Sequence, residues 1–177
     1  MTTETKSKIR LVALITLVIL TLDHLTKWLI VKYIPYGGEV IVWPGFFDVL
    51  HTRNTGAAFG MLSEWNSPLR DVFFYGVGSL AFYFLFQYIK STPLSDKITL
   101  AALSLVTGGA IGNLTDRLIR GSVVDFLSFH YHHQIKMLTL FGYEIVIPLT
   151  WPAFNVADSS ICVGVTLLIV QSLRKPE

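Results

Sequence analysis

The chain has 177 residues, of which 52% are hydrophobic and only 15% are charged. Soluble domains carry about 25% charged residues, so this composition indicates a membrane protein. The net charge of +2 is small, and the sequence has no Lys/Arg-rich run or zinc-ligand spacing, so nucleic acid is excluded as a predicted partner. The single cysteine, Cys162, lies in an apolar run and is predicted to be a small buried residue.

Four apolar segments are long enough to cross a bilayer, at about residues 9–33, 72–89, 98–117 and 156–173. Each has roughly 18–25 residues, the length needed for about 30 Å of hydrocarbon. The first segment follows basic residues, as a secretory signal does. However, Asp23 stands where a small-residue cleavage site would be expected. The sequence therefore predicts an uncleaved first transmembrane helix.

Basic residues flank the spans on one side. They are Lys6, Lys8, Arg10, Lys90, Lys97, Arg174 and Lys175. The positive-inside rule assigns this side to the cytoplasm, so both termini are predicted inside. Segments 34–71 and 118–155 are then the outer segments.

The outer segments contain signals for β structure. β-branched and aromatic residues flank Pro44-Gly45, which predicts a short hairpin, and residues 143–149 predict a further strand. No repeat or second domain is evident. The predicted fold is a single domain spanning residues 1–177: an all-α integral membrane protein with four transmembrane helices and a small extracytoplasmic β element.

Two aspartates at the outer ends of spans are the strongest candidates for chemistry. Asp125 follows the third span and Asp158 begins the fourth. An ionisable group near hydrocarbon is costly to keep, which makes it a functional candidate. Two converging carboxyls share one proton, as hydrolytic dyads do. The helix dipole favours the charged form of Asp158, whereas Asp125, between Val124 and Phe126, is predicted to be the more desolvated partner.

Polar residues accompany this pair. Asn113, Asp116 and Arg117 share one helix face, and Asn155 lies three residues before Asp158. Asparagine both donates and accepts hydrogen bonds without adding charge. Arg117 is predicted to steady a carboxylate or to bind a lipid phosphate. Asp116 is predicted to be an ion-pair partner for an arginine.

Two further segments carry candidate residues. In the loop Asn54-Thr-Gly-Ala-Ala-Phe-Gly60, Asn54 is predicted to reach the site and Gly56 to permit an unusual backbone shape. On the first helix, Asp23 and Lys27 have the i, i+4 spacing of an ion pair. That pair has either a structural role or a direct role in function.

The histidines invite a metal hypothesis. His130 and His132 would share one face of a strand, but the sequence offers no third ligand for them. Solvated imidazoles are therefore the preferred interpretation, and no metal site is predicted.

Two other function classes remain open at this point. Membrane aspartates relay protons in transporters, although four spans without an inverted repeat weaken that interpretation. The Gly108/Gly112 pair permits close helix contact, which is compatible with a structural or assembly protein.

Five segments, in order along the chain, resemble the bacterial lipoprotein signal peptidases, also called signal peptidase II. They are Asp23-His-Leu-Thr-Lys27, Asn54-Thr-Gly-Ala-Ala-Phe-Gly60, Gly108-Gly-Ala-Ile-Gly-Asn-Leu-Thr-Asp-Arg117, Val124-Asp125-Phe126 and Phe154-Asn-Val-Ala-Asp158. The resemblance covers most of the chain, and five motifs in sequence are highly specific.

The resemblance implies an aspartic endopeptidase of the bacterial inner membrane that works without a cofactor. We expect the protein to be a monomer. Such enzymes cut a prolipoprotein immediately before its diacylglyceryl-modified cysteine, in contact with membrane lipid. Asp125 and Asp158 correspond to the catalytic pair. The positions that match supporting or substrate-contacting residues are Asn54, Gly56, Asn113, Arg117, Asn155, Asp23 and Lys27.

The sequence departs from the family pattern in one stretch. The segment between Asp125 and Asn155 is longer than usual, with the surplus around residues 130–144. This segment is predicted either to cover the site or to touch lipid headgroups.

Overall fold

A computed structural model describes residues 3–56, 67–140 and 143–174. Its helices are α1 (Thr3–Tyr33), α2 (Ser67–Ser91), α3 (Lys97–Arg120) and α4 (Val156–Arg174), and its strands are β1 (Glu39–Trp43), β2 (Phe47–Asn54), β3 (Val123–Leu140) and β4 (Tyr143–Thr150). All four helices contain a stretch long and apolar enough to cross a membrane. The four predicted spans are confirmed, and the chain is a multi-pass membrane protein.

Helix α3 lies at the centre of the bundle and packs against the other three helices. Small residues let α1 and α4 approach it closely. Gly108 faces Ile19 of α1, Gly109 faces the backbone of α4, and Gly164 of α4 faces Ala102. The predicted close contact at Gly108 is therefore confirmed, and Gly109 extends it to a second helix. Large apolar side chains are exposed along α1, α2 and α4, as expected for helices surrounded by lipid.

The strands form one antiparallel sheet in the order β1-β2-β3-β4. The hairpin around Pro44-Gly45 and the strand at 143–149 are confirmed. The sheet is nevertheless larger than the sequence predicts, because β3, with 18 residues, was not anticipated. Residues 122–130 are almost uniformly buried and residues 131–139 are exposed, so burial does not alternate along either half as it does in a strand with one buried face. The all-α description is corrected accordingly: a four-stranded sheet accompanies the helices.

The sheet meets the helix bundle at a small apolar core. Ile30 of α1 and Ile34, just after its end, pack here against Val124 and Phe126 from β3. Helix α3 ends at Arg120, and Gly121 adopts a left-handed conformation (φ 70°) that lets its amide bond back to the Arg117 carbonyl. The chain therefore turns sharply from the bundle into β3 and arrives at Asp125 four residues later.

Candidate active site

Backbone pairing brings Asp125 next to the start of α4. The amides of Phe126 and Leu127 both donate to the Phe154 carbonyl oxygen, at 3.0 and 2.8 Å, and the Phe154 amide donates back to Leu127 at 3.0 Å. Phe154 is followed directly by Asn155, the residue that precedes α4. The two predicted aspartates therefore lie on neighbouring segments, one on β3 and one in the first turn of α4.

Asn155 joins the two carboxyl groups. Its side-chain Nδ2 donates to Asp125 Oδ1 at 2.7 Å, and its backbone N–H donates to Asp158 Oδ2 at 3.1 Å. Its Oδ1 in turn accepts the Asp158 amide at 2.9 Å. This reciprocal pair is a capping box, which satisfies amides that would otherwise be unpaired at the start of a helix. One residue therefore caps α4 and orients both carboxyls.

Two other asparagines, one for each carboxyl, hold the remaining carboxyl oxygens. Asn54 Nδ2 donates to Asp125 Oδ2 at 3.1 Å, and Asn113 Nδ2 donates to Asp158 Oδ1 at 2.7 Å. The Asn113 Oδ1 atom accepts from Lys27 Nζ at 3.1 Å, which fixes the orientation of its amide. All four carboxyl oxygens thus accept a neutral N–H, an environment suited to carboxyls that change charge during a reaction.

The pKa of Asp125 is raised to about 6 from an ordinary value of 3.8. Burial is the main cause, because it penalises the charged form, and the nearby negative charge of Asp158 adds to it. Hydrogen bonds from Asn54 and Asn155 act in the opposite direction. Asp125 is therefore desolvated, and its carboxyl exchanges a proton near pH 6.

A buried ionic network underlies this site. Lys27 Nζ lies 2.8 Å from Asp23 Oδ2 and 3.1 Å from Asp116 Oδ2, and all three side chains are fully buried. The predicted Asp23–Lys27 ion pair is confirmed. So is the pairing of Asp116 with an arginine, Arg120. The Asp116–Lys27 contact was not anticipated, since 89 residues separate the two positions.

The two aspartates of this network also hold the backbone beside the site. Asp23 Oδ1 accepts the Ala157 amide at 3.0 Å, and Asp116 Oδ2 accepts the Val124 amide at 3.2 Å. Each bonded amide belongs to the residue immediately before one of the site aspartates. The network therefore anchors both carboxyl-bearing segments to α1 and α3.

Arg117 and Gly56 secure the loop that carries Asn54. Arg117 Nη2 donates to the Gly56 carbonyl at 2.8 Å, and its guanidinium lies 4.2 Å from the centre of the Phe74 ring. The Gly56 amide donates to Asn54 Oδ1 at 3.0 Å. Within the described residues, Arg117 thus contacts the backbone of a loop rather than the predicted carboxylate. The rest of that loop, residues 57–60, lies outside the described residues.

The two aspartates open into a cavity of about 770 Å³. Its polar lining includes Asn54, Asn113 and Arg117, and its apolar walls include Val123, Trp151, Phe154 and Ile161. Cys162 also lines this cavity and is exposed, so the prediction that it is buried is wrong. An apolar run does not establish burial here, because the helices of a membrane protein also expose apolar side chains to lipid.

The histidine cluster differs from the one that the sequence suggests. His130 stacks on His133, with ring centres 3.6 Å apart, and both lie against Asp48 of β2. His132 points elsewhere, toward Gly45. The chain does not follow strand geometry here, because His132 and His133 have positive φ values of 48° and 51°.

The chain is similar to known proteins along most of its length. A family model described as signal peptidase (SPase) II matches residues 15–174. A lipoprotein signal peptidase of Syntrophotalea carbinolica is 40% identical over 168 residues, covering 95% of this chain and 94% of that protein. One from Bacillus subtilis is 36% identical over 162 residues, with 90% and 91% covered.

A solved bacterial membrane enzyme structure superposes with a TM-score of 0.74 at 31% identity, covering 94% of this chain and 92% of that one. A second such structure gives a TM-score of 0.71. The family model spans most of the chain, and the relatives are well above 30% identity over nearly their full length. The chain therefore belongs to the signal peptidase II family, a family of membrane proteases.

Proposed function

We propose that this protein is an aspartic endopeptidase that removes the signal peptide from bacterial prolipoproteins, cutting immediately before the diacylglyceryl-modified cysteine. The observation that carries the proposal is the pair Asp125 and Asp158, joined by Asn155 at the end of an apolar cavity. Two carboxyls that share a neutral donor in a desolvated site are suited to holding one proton between them.

In the proposed reaction, the ionised carboxyl takes a proton from a water molecule, and the resulting hydroxide adds to the scissile carbonyl carbon. The protonated carboxyl hydrogen-bonds to the carbonyl oxygen as the tetrahedral intermediate forms. A proton then passes to the leaving nitrogen and the C–N bond breaks. The products are the carboxyl end of the signal peptide and the free amine of the lipidated cysteine, and no metal or cofactor takes part.

The supporting residues have positioning roles in this proposal. Asn54 and Asn113 hold the carboxyl oxygens through 3.1 and 2.7 Å bonds, and Arg117 fixes the Gly56 carbonyl beside them. The apolar walls of the cavity accept the hydrophobic side chains of the signal segment. Such alignment lowers the entropic part of the barrier, because the scissile bond no longer has to find the carboxyls by diffusion.

We further propose that the protein works as a monomer in the cytoplasmic membrane, with both termini inside and the site near the outer face. The basic N-terminal tail is tied to the α2–α3 link, since Lys8 Nζ donates to the carbonyls of Ile89, Lys90 and Thr92 at 3.2, 3.0 and 2.6 Å. The sheet and the aspartates lie at the opposite end of the bundle. By the positive-inside rule, the basic end faces the cytoplasm.

The test is cleavage of a purified prolipoprotein by the purified protein in detergent, with the cut position read by mass spectrometry. We expect a single cut before the cysteine when it carries diacylglyceryl, and no cut in the same polypeptide without the lipid. Cleavage of both forms at equal rates would contradict the proposed substrate. Proton flux in proteoliposomes without any cleavage would favour a transporter instead.

A further inference from the structure

A second cluster of chemically capable side chains lies on the sheet, apart from the aspartate pair. Asp48 of β2 is paired in register with Ser128 of β3, and His130 follows two residues along β3. The Asp48 Oδ2 atom lies 2.8 Å from His130 Nε2 and 3.3 Å from His133 Nε2. One ligand atom from each residue can be chosen so that all three lie within 4.8 Å of one another.

Burial sets this cluster apart from solvated surface histidines. The side chains of Asp48 and His130 are 4% and 2% exposed, whereas that of His133 is 57% exposed. The Asp48 Oδ1 atom is buried and has no hydrogen-bond partner among the described residues. A buried carboxylate oxygen without a donor is costly unless a cation satisfies it. The exposed edge of His133 gives an ion a route from solvent.

The backbone is bent so that the second imidazole meets the first. The positive φ values at His132 and His133 interrupt β3 and fold the His133 ring over that of His130. Such conformations are uncommon and unfavourable for residues with a side chain. Both rings therefore present nitrogen atoms to one carboxylate, which an unbroken strand would not allow.

The spacing is close to that of a small transition-metal site. A tetrahedral ion bound at about 2.0–2.1 Å keeps its ligand atoms about 3.3 Å apart. The 3.3 Å contact of Asp48 with His133 matches that value, whereas the 2.8 Å contact with His130 is that of a hydrogen bond. Binding would lengthen the shorter contact and turn the stacked rings so that both nitrogen atoms face the ion. Two imidazoles and one carboxylate are typical ligands of Zn²⁺ and its neighbours, whereas Ca²⁺ and Mg²⁺ prefer oxygen alone.

We propose that Asp48, His130 and His133 bind a divalent transition-metal ion such as Zn²⁺, with water completing the coordination. The ion would tie β2 to β3 on the same two strands that carry Asn54 and Asp125, and so stabilise the sheet beside the cavity. It takes no part in the proposed cleavage.

Binding exchanges a proton for the metal. The metal replaces the proton that His130 Nε2 shares with Asp48, and the neutral imidazole then carries its proton on Nδ1. The 3.3 Å bond from the His133 amide to Nδ1 is given up in this step. Since protons compete for the same atoms, metal affinity falls as the solution becomes more acidic.

The experiment is a titration of tag-free protein in detergent with Co²⁺ and with Zn²⁺. Calorimetry measures the affinity and the number of ions bound, the absorption spectrum of Co²⁺ reports its coordination, and thermal unfolding gives the melting temperature with and without metal. The wild type should bind one ion per chain and melt at a higher temperature with it. His133→Asn should weaken binding by roughly a hundredfold or more, since even indirect changes to metal ligation weaken it 10–100-fold. His132→Asn is the matched control, because asparagine tolerates the same positive φ and His132 is not a ligand.

Two further variants decide where the ion sits. Asp48→Asn should lose binding, whereas Asp125→Asn should retain it, because the carboxyls of the aspartate pair do not contribute. Loss of binding in Asp125→Asn would assign the ion to the cavity and overturn the proposal. Equal affinity of wild type and His133→Asn, or no saturable binding at micromolar metal, would also overturn it. Retained prolipoprotein cleavage by His133→Asn shows that this variant is folded.

Discussion

Replacing Asp125 with asparagine is expected to stabilise the protein above about pH 6 even though it removes a group proposed to be essential for cleavage. Asp125 is 3% exposed, and its pKa is raised from 3.8 to about 6. At about 1.4 kcal/mol for each pH unit between these values, the ionised carboxylate costs about 3 kcal/mol in the folded state. Asparagine is neutral at every pH and avoids this cost.

The replacement also has a local penalty. Asp125 accepts N–H bonds from both Asn54 and Asn155, but asparagine has only one acceptor oxygen. One bond is lost, at about 1 kcal/mol. The net gain above pH 6 is therefore about 2 kcal/mol, which corresponds to roughly 4–8 °C in melting temperature for a chain of this size.

The sign of the pH dependence follows from proton binding. Between about pH 4 and pH 6 the folded protein holds a proton on Asp125 that the unfolded chain has lost, so wild-type stability falls as pH rises through this window. The difference between Asp125→Asn and wild type should thus grow from pH 4 to pH 6 and stay level above. Thermal unfolding in detergent, followed by tryptophan fluorescence from pH 4 to 8, measures it. A variant that melts below wild type at pH 7.5, or a difference independent of pH, would refute the reasoning.

Three further variants test the contacts around the pair. Asn155→Ala removes the bridge between the two carboxyls. It should lower kcat by roughly 100-fold with little change in KM, because the alignment of the carboxyls is lost rather than substrate binding. An unchanged kcat in steady-state assays would contradict this. Lys27→Met leaves two fully buried carboxylates without their shared cation. Thermal unfolding should show that the folded protein is destabilised by about 3–5 kcal/mol. A loss of stability below about 1 kcal/mol would argue against a stabilising role for the network. Gly109→Ala directs a methyl group into the backbone of α4 and should destabilise by about 1–3 kcal/mol. Gly76→Ala, which meets open space, is its matched control and should be neutral or slightly stabilising.

The helices could be predicted from the sequence because their signal is local. An apolar run of about 20 residues has few alternatives to crossing a membrane, whatever surrounds it. The Asn155–Asp158 contact is local as well, since an asparagine followed three residues later by an acid is a capping pattern. Part of the candidate site could therefore be recognised before the fold was known.

The rest of the site depends on contacts that no local pattern carries. Lys27 meets Asp116 only because α1 packs on α3 at residues without large side chains. Asp48 meets His130 through the register of β2 and β3, in a strand whose burial does not alternate. Asp48, the third residue of the proposed metal site, lies 82 residues before His130, so no local pattern links the two.

The most direct test of the central claim is single-turnover cleavage of a diacylglyceryl-modified prolipoprotein by Asp125→Asn and Asp158→Asn. Glu144→Gln, which changes an exposed carboxyl on β4, is the matched control. Circular dichroism establishes that all three variants are folded. We expect the cleavage rate of each site variant to fall roughly a thousandfold or more. The contribution of one acid–base group is typically about 10²–10⁴-fold. The control should keep the wild-type rate. Near-wild-type cleavage by either folded site variant would contradict the paired-aspartate mechanism.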